Sequence, residues 1–193
     1  MHDFLKRGGW LFLAILFVVT ALGVGVYSFF VNTHPNDNSG NSCQKITVGE
    51  QKPAKNGKYE GAQLVGYKPV KHVSYVQCQD IKTGNGKTVA ATSTITATYT
   101  GAIASSGKIF QSSLDTGQPF TASLGSGVIQ GWTAGIPGMK AGGTRRILIP
   151  AQYAYGATGS CQTPDPKDPT KCQVYSIPPN ADLVFDVTVL AVK

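Results

Sequence analysis

Two segments of this 193-residue chain alternate with a period of two, and they constrain the fold more than anything else in it. In Thr94-Ile-Thr-Ala-Thr-Tyr-Thr100, Ile95, Ala97 and Tyr99 share one side and threonines the other. In Leu183-Val-Phe-Asp-Val-Thr-Val189, Leu183, Phe185, Val187 and Val189 are read as inward. Such alternation belongs to strands with one buried face. Val73 to Ile81, Lys108 to Ser112 and Arg145 to Ile149 are further strand candidates, separated by turns such as Thr83-Gly-Asn-Gly86. Ile129 to Ile136 is the one good helix candidate after residue 72, stopped by Pro137-Gly138. The expected fold class is α+β, an antiparallel sheet covered by one short helix.

Trp10 to Val31 carries no charge over 22 residues. As a helix it would span roughly 33 Å, enough for a bilayer core. It is read as a retained anchor. A cleaved signal peptide is the competing reading, against which stand the length of the run and the lack of an Ala-x-Ala site. Lys6 and Arg7 precede it, so residues 1–9 are expected in the cytoplasm and residues after His34 outside it, on a single-pass cell-membrane protein. Residues 32–72 are read as linker and arm, polar up to 59 and ambiguous from 60 to 72. The globular domain is expected over 73–193.

Four cysteines suit that exterior. Of three possible pairings, closure of a short Pro-rich loop favours Cys161–Cys172, leaving Cys43–Cys78 to pin the linker to the domain. Four free thiols remain the alternative in a reducing exterior. No Cys-x-x-Cys or histidine cluster exists, so no metal site is expected. The formal net charge of +7 is spread out apart from Arg145-Arg146, reads as a solvated basic surface, and does not predict nucleic-acid binding. Gly86-Lys87-Thr88 lacks the leading glycine of a phosphate loop, and no Gly-x-Ser-x-Gly is present. Hydrolase chemistry is therefore not expected, and no cofactor is called for.

Val128-Ile-Gln-Gly-Trp132, a turn, a β run and Tyr153-Ala-Tyr-Gly156 form an apolar stretch without reactive groups. Together with Thr98-Tyr-Thr-Gly101, Gly107-Lys-Ile-Phe-Gln-Ser-Ser113, Gln118-Pro-Phe120, Met139-Lys-Ala-Gly-Gly143, Ile177-Pro-Pro179 and Leu183-Val-Phe-Asp-Val187, it makes residues 73–193 resemble an FKBP-type peptidyl-prolyl cis-trans isomerase domain. Each block is weak alone; their order and spacing are specific. The resemblance implies a half-barrel wrapped over the helix, with an apolar pocket between them. It implies Trp132 as floor, and Tyr99, Phe110, Phe120, Val128, Ile129, Tyr155, Ile177 and Phe185 as walls. The Ile129 N–H and the Tyr155 hydroxyl would be the donors to substrate. The partners it implies are unfolded or proline-containing polypeptides, with macrolide inhibitors as a further expectation.

Two departures stand out. In the family an Asp follows the pocket Phe; here Gln111 keeps an acceptor and loses the charge. This leaves open a proline-peptide binding module or chaperone with little turnover. The loop Ala157 to Tyr175 is long, and the resemblance places it over the pocket.

Overall fold

The computed structural model describes residues 43–193. The expected anchor at 10–31, the residues 1–9 expected in the cytoplasm and the start of the linker lie outside them. Among the described residues no helix is long and apolar enough to cross a membrane.

The strands are β1 (Gln44–Lys45), β2 (Gln77–Lys82), β3 (Thr94–Ile103), β4 (Ile109–Ser112), β5 (Phe120–Ser123), β6 (Thr144–Ile149), β7 (Ser160–Pro164), β8 (Cys172–Ile177) and β9 (Leu183–Val192). The α-helix among the described residues, α1, spans Gln130–Gly135. The main sheet runs β1-β2-β6-β9-β3-β4, with β5 also on β3, and β7 and β8 form a separate ribbon. Pairing is antiparallel except between β1 and β2.

The two alternating segments are partners. Ala97 opposes Val189, Tyr99 opposes Val187, and Gly101 opposes Phe185. Ile95, Ala97, Leu183, Val187 and Val189 are fully buried on the face that α1 covers. The helix sits tightly because Gly131 and Gly135, one turn apart, meet Ile149 and Ile147 of β6. Pro137 ends it as a residue without a backbone donor should. Arg145 then donates to the Gly135 and Pro137 carbonyls at 3.0 and 3.2 Å.

The opposite face is also covered at one end, which the alternation does not show. Leu148 of β6, Val184 of β9 and Ala102 of β3 join Leu64 and Val73 in a second core. Residues 62–73 are therefore an arm lying on the sheet. Arg146, 1% exposed, pairs with Asp186 at 2.7 Å and donates to the Val65 and Gly66 carbonyls of that arm. Its guanidinium also lies 5.5 Å from the centre of the Tyr67 ring. Neither arginine belongs to a solvated basic surface; both are buried and paired.

Residues 43–59, which composition assigns to a tether, are held as well. The Cys43–Cys78 disulfide and the β1–β2 pairing fix their start. Asp115 accepts from the Tyr59 and Glu60 N–H groups at 2.6 and 3.0 Å. Val73 to Ile81 is strand only from Gln77. Val73 itself is buried with its N–H on Asp182 at 2.7 Å.

Candidate functional site: an aromatic cavity over Trp132

A cavity of about 300 Å3 opens between the helix and the concave face of the sheet. Its floor is Trp132, 4% exposed, in the first turn of α1. Val128 and Ile129 enter from the segment leading into the helix, Tyr99 from β3, Phe120 from β5 and Phe185 from β9. Trp132 meets Tyr99, Phe185 and Phe120 edge-on, with ring centres 5.5, 5.6 and 6.0 Å apart. These are the T-shaped arrangements that ring quadrupoles favour, and they make a rigid apolar bowl.

Tyr155 and Gln111 complete the lining, together with Gly127. Tyr155 follows a 3-10 turn at Ala151–Tyr153 and stands on the rim, 39% exposed. The polar groups around the bowl have no partner among the described residues. Ile129 is the helix N-cap, with φ −62° and ψ 148°. Its carbonyl accepts from Trp132, while its own N–H donates to no group. The Tyr155 hydroxyl and the Gln111 amide are likewise free, and no hydrogen bond joins Gln111 to Tyr99. Burial pushes the Tyr99 phenol above its ordinary pKa, and the neighbouring Tyr155 adds to the shift. The Trp132 indole N–H is buried and unpartnered.

Phe110 and Ile177 do not line this cavity. Phe110 stands behind Phe185, ring centres 5.7 Å apart, and Ile177 is packed in the core at 3% exposure. The long loop is not part of this lining. Its β7–β8 ribbon, closed by the Cys161–Cys172 disulfide, contributes no lining residue here and borders a second cavity instead.

Several residues that hold the site escaped the sequence reading. Ser113 Oγ accepts from the Tyr99 N–H at 2.9 Å, and Ser112 Oγ bonds Thr100 Oγ1 at 2.9 Å. These two serines fix the backbone that carries Tyr99. Asp182 accepts from the Ala151 N–H at 2.8 Å with one oxygen, and from Val73 and His72 with the other. It thereby ties the arm to the turn that carries Tyr155. The adjacent serines were visible inside a family block; Asp182 sits in a turn, where an acid gives no signal.

The chemistry available is non-covalent. The bowl holds no nucleophile or paired carboxylate, and the described residues contain no cluster of metal-ligating side chains. It can desolvate a ring, hold a backbone through an N–H and a hydroxyl, and favour one shape over another. A family model for FKBP-type peptidyl-prolyl cis-trans isomerases matches residues 85–190, more than half of the 193.

The chain belongs to this family.

An FK506-binding protein of Neisseria meningitidis is 41% identical over 115 residues, covering 59% of this chain and 93% of the relative. An FK506-binding protein 4 of Aspergillus fumigatus is 39% identical over 145 residues, or 75% of this chain. The chain spans only about a quarter of that fungal relative's length, 26%. Among solved structures, AtFKBP13 superposes with a TM-score of 0.52 at 34% identity, covering 62% of this chain and 94% of the other. FkpA from Escherichia coli gives 0.50 at 36% identity, with 66% of this chain and 53% of the other covered. The FKBP match takes in every residue of the bowl, because all lie between 85 and 190.

Proposed function

We propose that this FKBP-family chain accelerates cis–trans isomerisation of X-Pro bonds in polypeptides outside the cytoplasm. The observation that carries the reading is the Trp132-floored bowl with its free Ile129 N–H and Tyr155 hydroxyl. Rotation about a peptide bond must surrender C–N resonance, a barrier of about 18–20 kcal/mol. Uncatalysed X-Pro bonds turn over in roughly tens to hundreds of seconds, slow enough to limit folding. The proline ring would rest on Trp132. The Ile129 N–H and Tyr155 hydroxyl would grip the flanking carbonyls. A bowl shaped to the twisted imide lowers the barrier by binding that geometry more tightly than either planar isomer. Removal from water acts in the same direction, since the twisted amide is less polar than the planar one.

The proposal includes location. The uncharged run Trp10 to Val31, behind Lys6 and Arg7, supports a single-pass membrane tether with the domain on the outer side. Two disulfides fit an oxidising exterior. Relatives named for FK506 binding support macrolide inhibitors as ligands of the same bowl. At about 300 Å3 it lies at the small end of ligand cavities, so a macrolide would rest partly on the rim.

A protease-coupled proline-peptide assay on the full chain tests the activity. No acceleration over buffer, with peptide binding intact, would establish the second reading, a binding module with little turnover. Gln111 is the observation that favours that alternative. It lines the bowl without a charge and without a bond to Tyr99. On the enzymatic reading Gln111→Asp raises kcat/KM. An unchanged rate would show that the missing carboxylate does not set the activity.

A further inference from the structure

A second cavity, of about 630 Å3, adjoins the first and has no part in the reading above. Phe110 is the partition: it lines the second cavity while its ring packs on Phe185, which lines the first. The next residue, Gln111, lines the first. The other walls come from residues 56–61, ahead of the arm, the turn between β3 and β4, and the β7–β8 ribbon.

Val174, Tyr175 and Ser176 are consecutive on β8, and all three line this cavity. Successive strand residues point to opposite faces. A cavity touched by three in a row therefore reaches past the strand's edge, and Gln162 of β7 adds part of the ribbon's face to its wall. β8 pairs with β7 alone, so among the described residues its other edge has no strand partner. An open edge is a template for an extended chain, which supplies the missing backbone hydrogen bonds.

Charge narrows the occupant. Lys58 and Lys108 line the cavity, and neither forms an ion pair among the described residues. Glu60 is the one acidic lining residue against them. The walls thus carry an excess positive charge beside a free edge, one residue from the isomerase bowl.

We propose that this cavity is the subsite for the polypeptide flanking the prolyl bond, which lies extended along β8 and sets an acidic side chain against Lys58 and Lys108. The assignment rests on the isomerase reading. Its consequence is a preference for unfolded chains with acidic residues near proline, decided by Lys58, Lys108 and the ribbon and not by the aromatic bowl.

The test uses the full chain and one X-Pro tetrapeptide core. The core is presented alone, with a six-residue Ser/Glu extension, or with a Ser/Lys extension, at either end. An acidic extension at one end should raise kcat/KM by about five- to tenfold over the core, the scale of two partly exposed charge pairs plus edge bonds. Lys58→Glu/Lys108→Glu should abolish the gain, with turnover of the bare core unchanged, because both lysines are exposed and neither lines the bowl. Equal rates for core, acidic and basic substrates overturn the subsite and leave the isomerase reading intact. If the core itself is not turned over, the isomerase reading fails. Fluorescence anisotropy then decides the subsite: tighter binding of the acidic peptide than of the core supports it, and equal affinity overturns it. Self-association removed by the double variant would assign the groove to a second copy, and would also overturn the proposal.

Discussion

Gly131→Ala isolates the contact that sets the floor of the bowl. Gly131 lies one residue before Trp132 and faces Ile149 of β6. A Cβ there would overlap Ile149 Cγ2, with Cδ1 at 2.6 Å and Cγ1 at 2.8 Å. All three belong to one β-branched side chain with two γ branches, so a change of χ1 that clears one branch brings the other in. Ordinary carbon contacts sit at about 3.5–4.0 Å, so α1 must retreat by about an ångström. Overpacking of this kind costs about 1–3 kcal/mol. Alanine's better helix propensity returns up to about 1 kcal/mol. The balance is a loss of about 1–2 kcal/mol, or about 0.5–1 M in the urea midpoint at m values ordinary for a domain of this size. Proline-peptide turnover under fully folded conditions should fall as well, because Trp132 moves with the helix. Pairing the change with Ile149→Ala should recover part of both losses, since the clashing atoms are then gone. A Gly131→Ala protein as stable as the parent, or losses that simply add in the double variant, would refute the idea that this glycine fixes the helix–sheet distance.

The other expectations concern the donor, the arm and the phenols. Tyr155→Phe should lower kcat/KM by about 2–10-fold, the equivalent of one neutral hydrogen bond, and leave the urea midpoint unchanged, since the hydroxyl bonds nothing in the free protein; an unaltered rate removes it from the mechanism. Arg146→Met should destabilise the fold by about 3–5 kcal/mol, because Asp186 and the Val65 and Gly66 carbonyls lose their partner on a buried face; chemical denaturation would show a small loss if the arm were merely resting on the sheet. Burial raises the Tyr67 and Tyr99 phenols above their ordinary pKa. Unfolded phenols ionise near pH ~10 while these two are still neutral. Their contribution is therefore complete below that pH and is lost as pH rises through the folded values. The fall in the urea midpoint across that range should be shallower in Tyr67→Phe, and an equal slope would discount the effect.

Strand and helix were legible because they obey a period. The alternation at Thr94–Thr100 and Leu183–Val189 shows the concave face, and those two segments are direct partners in the sheet. Pro137 and the block around Trp132 place the helix within a residue of where it is found. The aromatic bowl followed from family blocks, and its members converge except for Phe110 and Ile177. Adjacent layers of apolar side chains look alike in sequence: Phe110 packs edge-on against Phe185, and Ile177 is buried in the core. The arm was not legible for a related reason. Leu148 and Val184 occupy positions that alternation assigns to solvent, and only a covering segment makes them core.

The arginine pair shows how far one dipeptide can carry that hidden information. Arg145 and Arg146 are adjacent on β6, so a period of two sends them to opposite faces. Arg145 binds Asp80 at 2.6 Å and the carbonyls at the end of α1, and so anchors the element that carries Trp132. Arg146 binds Asp186 and the arm, and so closes the outer layer at Leu64 and Leu148. A charge count reads both as surface, yet each is held by a carboxylate and by carbonyls that a lysine's single ammonium would satisfy less well. Floor and arm are thus attached to the same two residues of one strand.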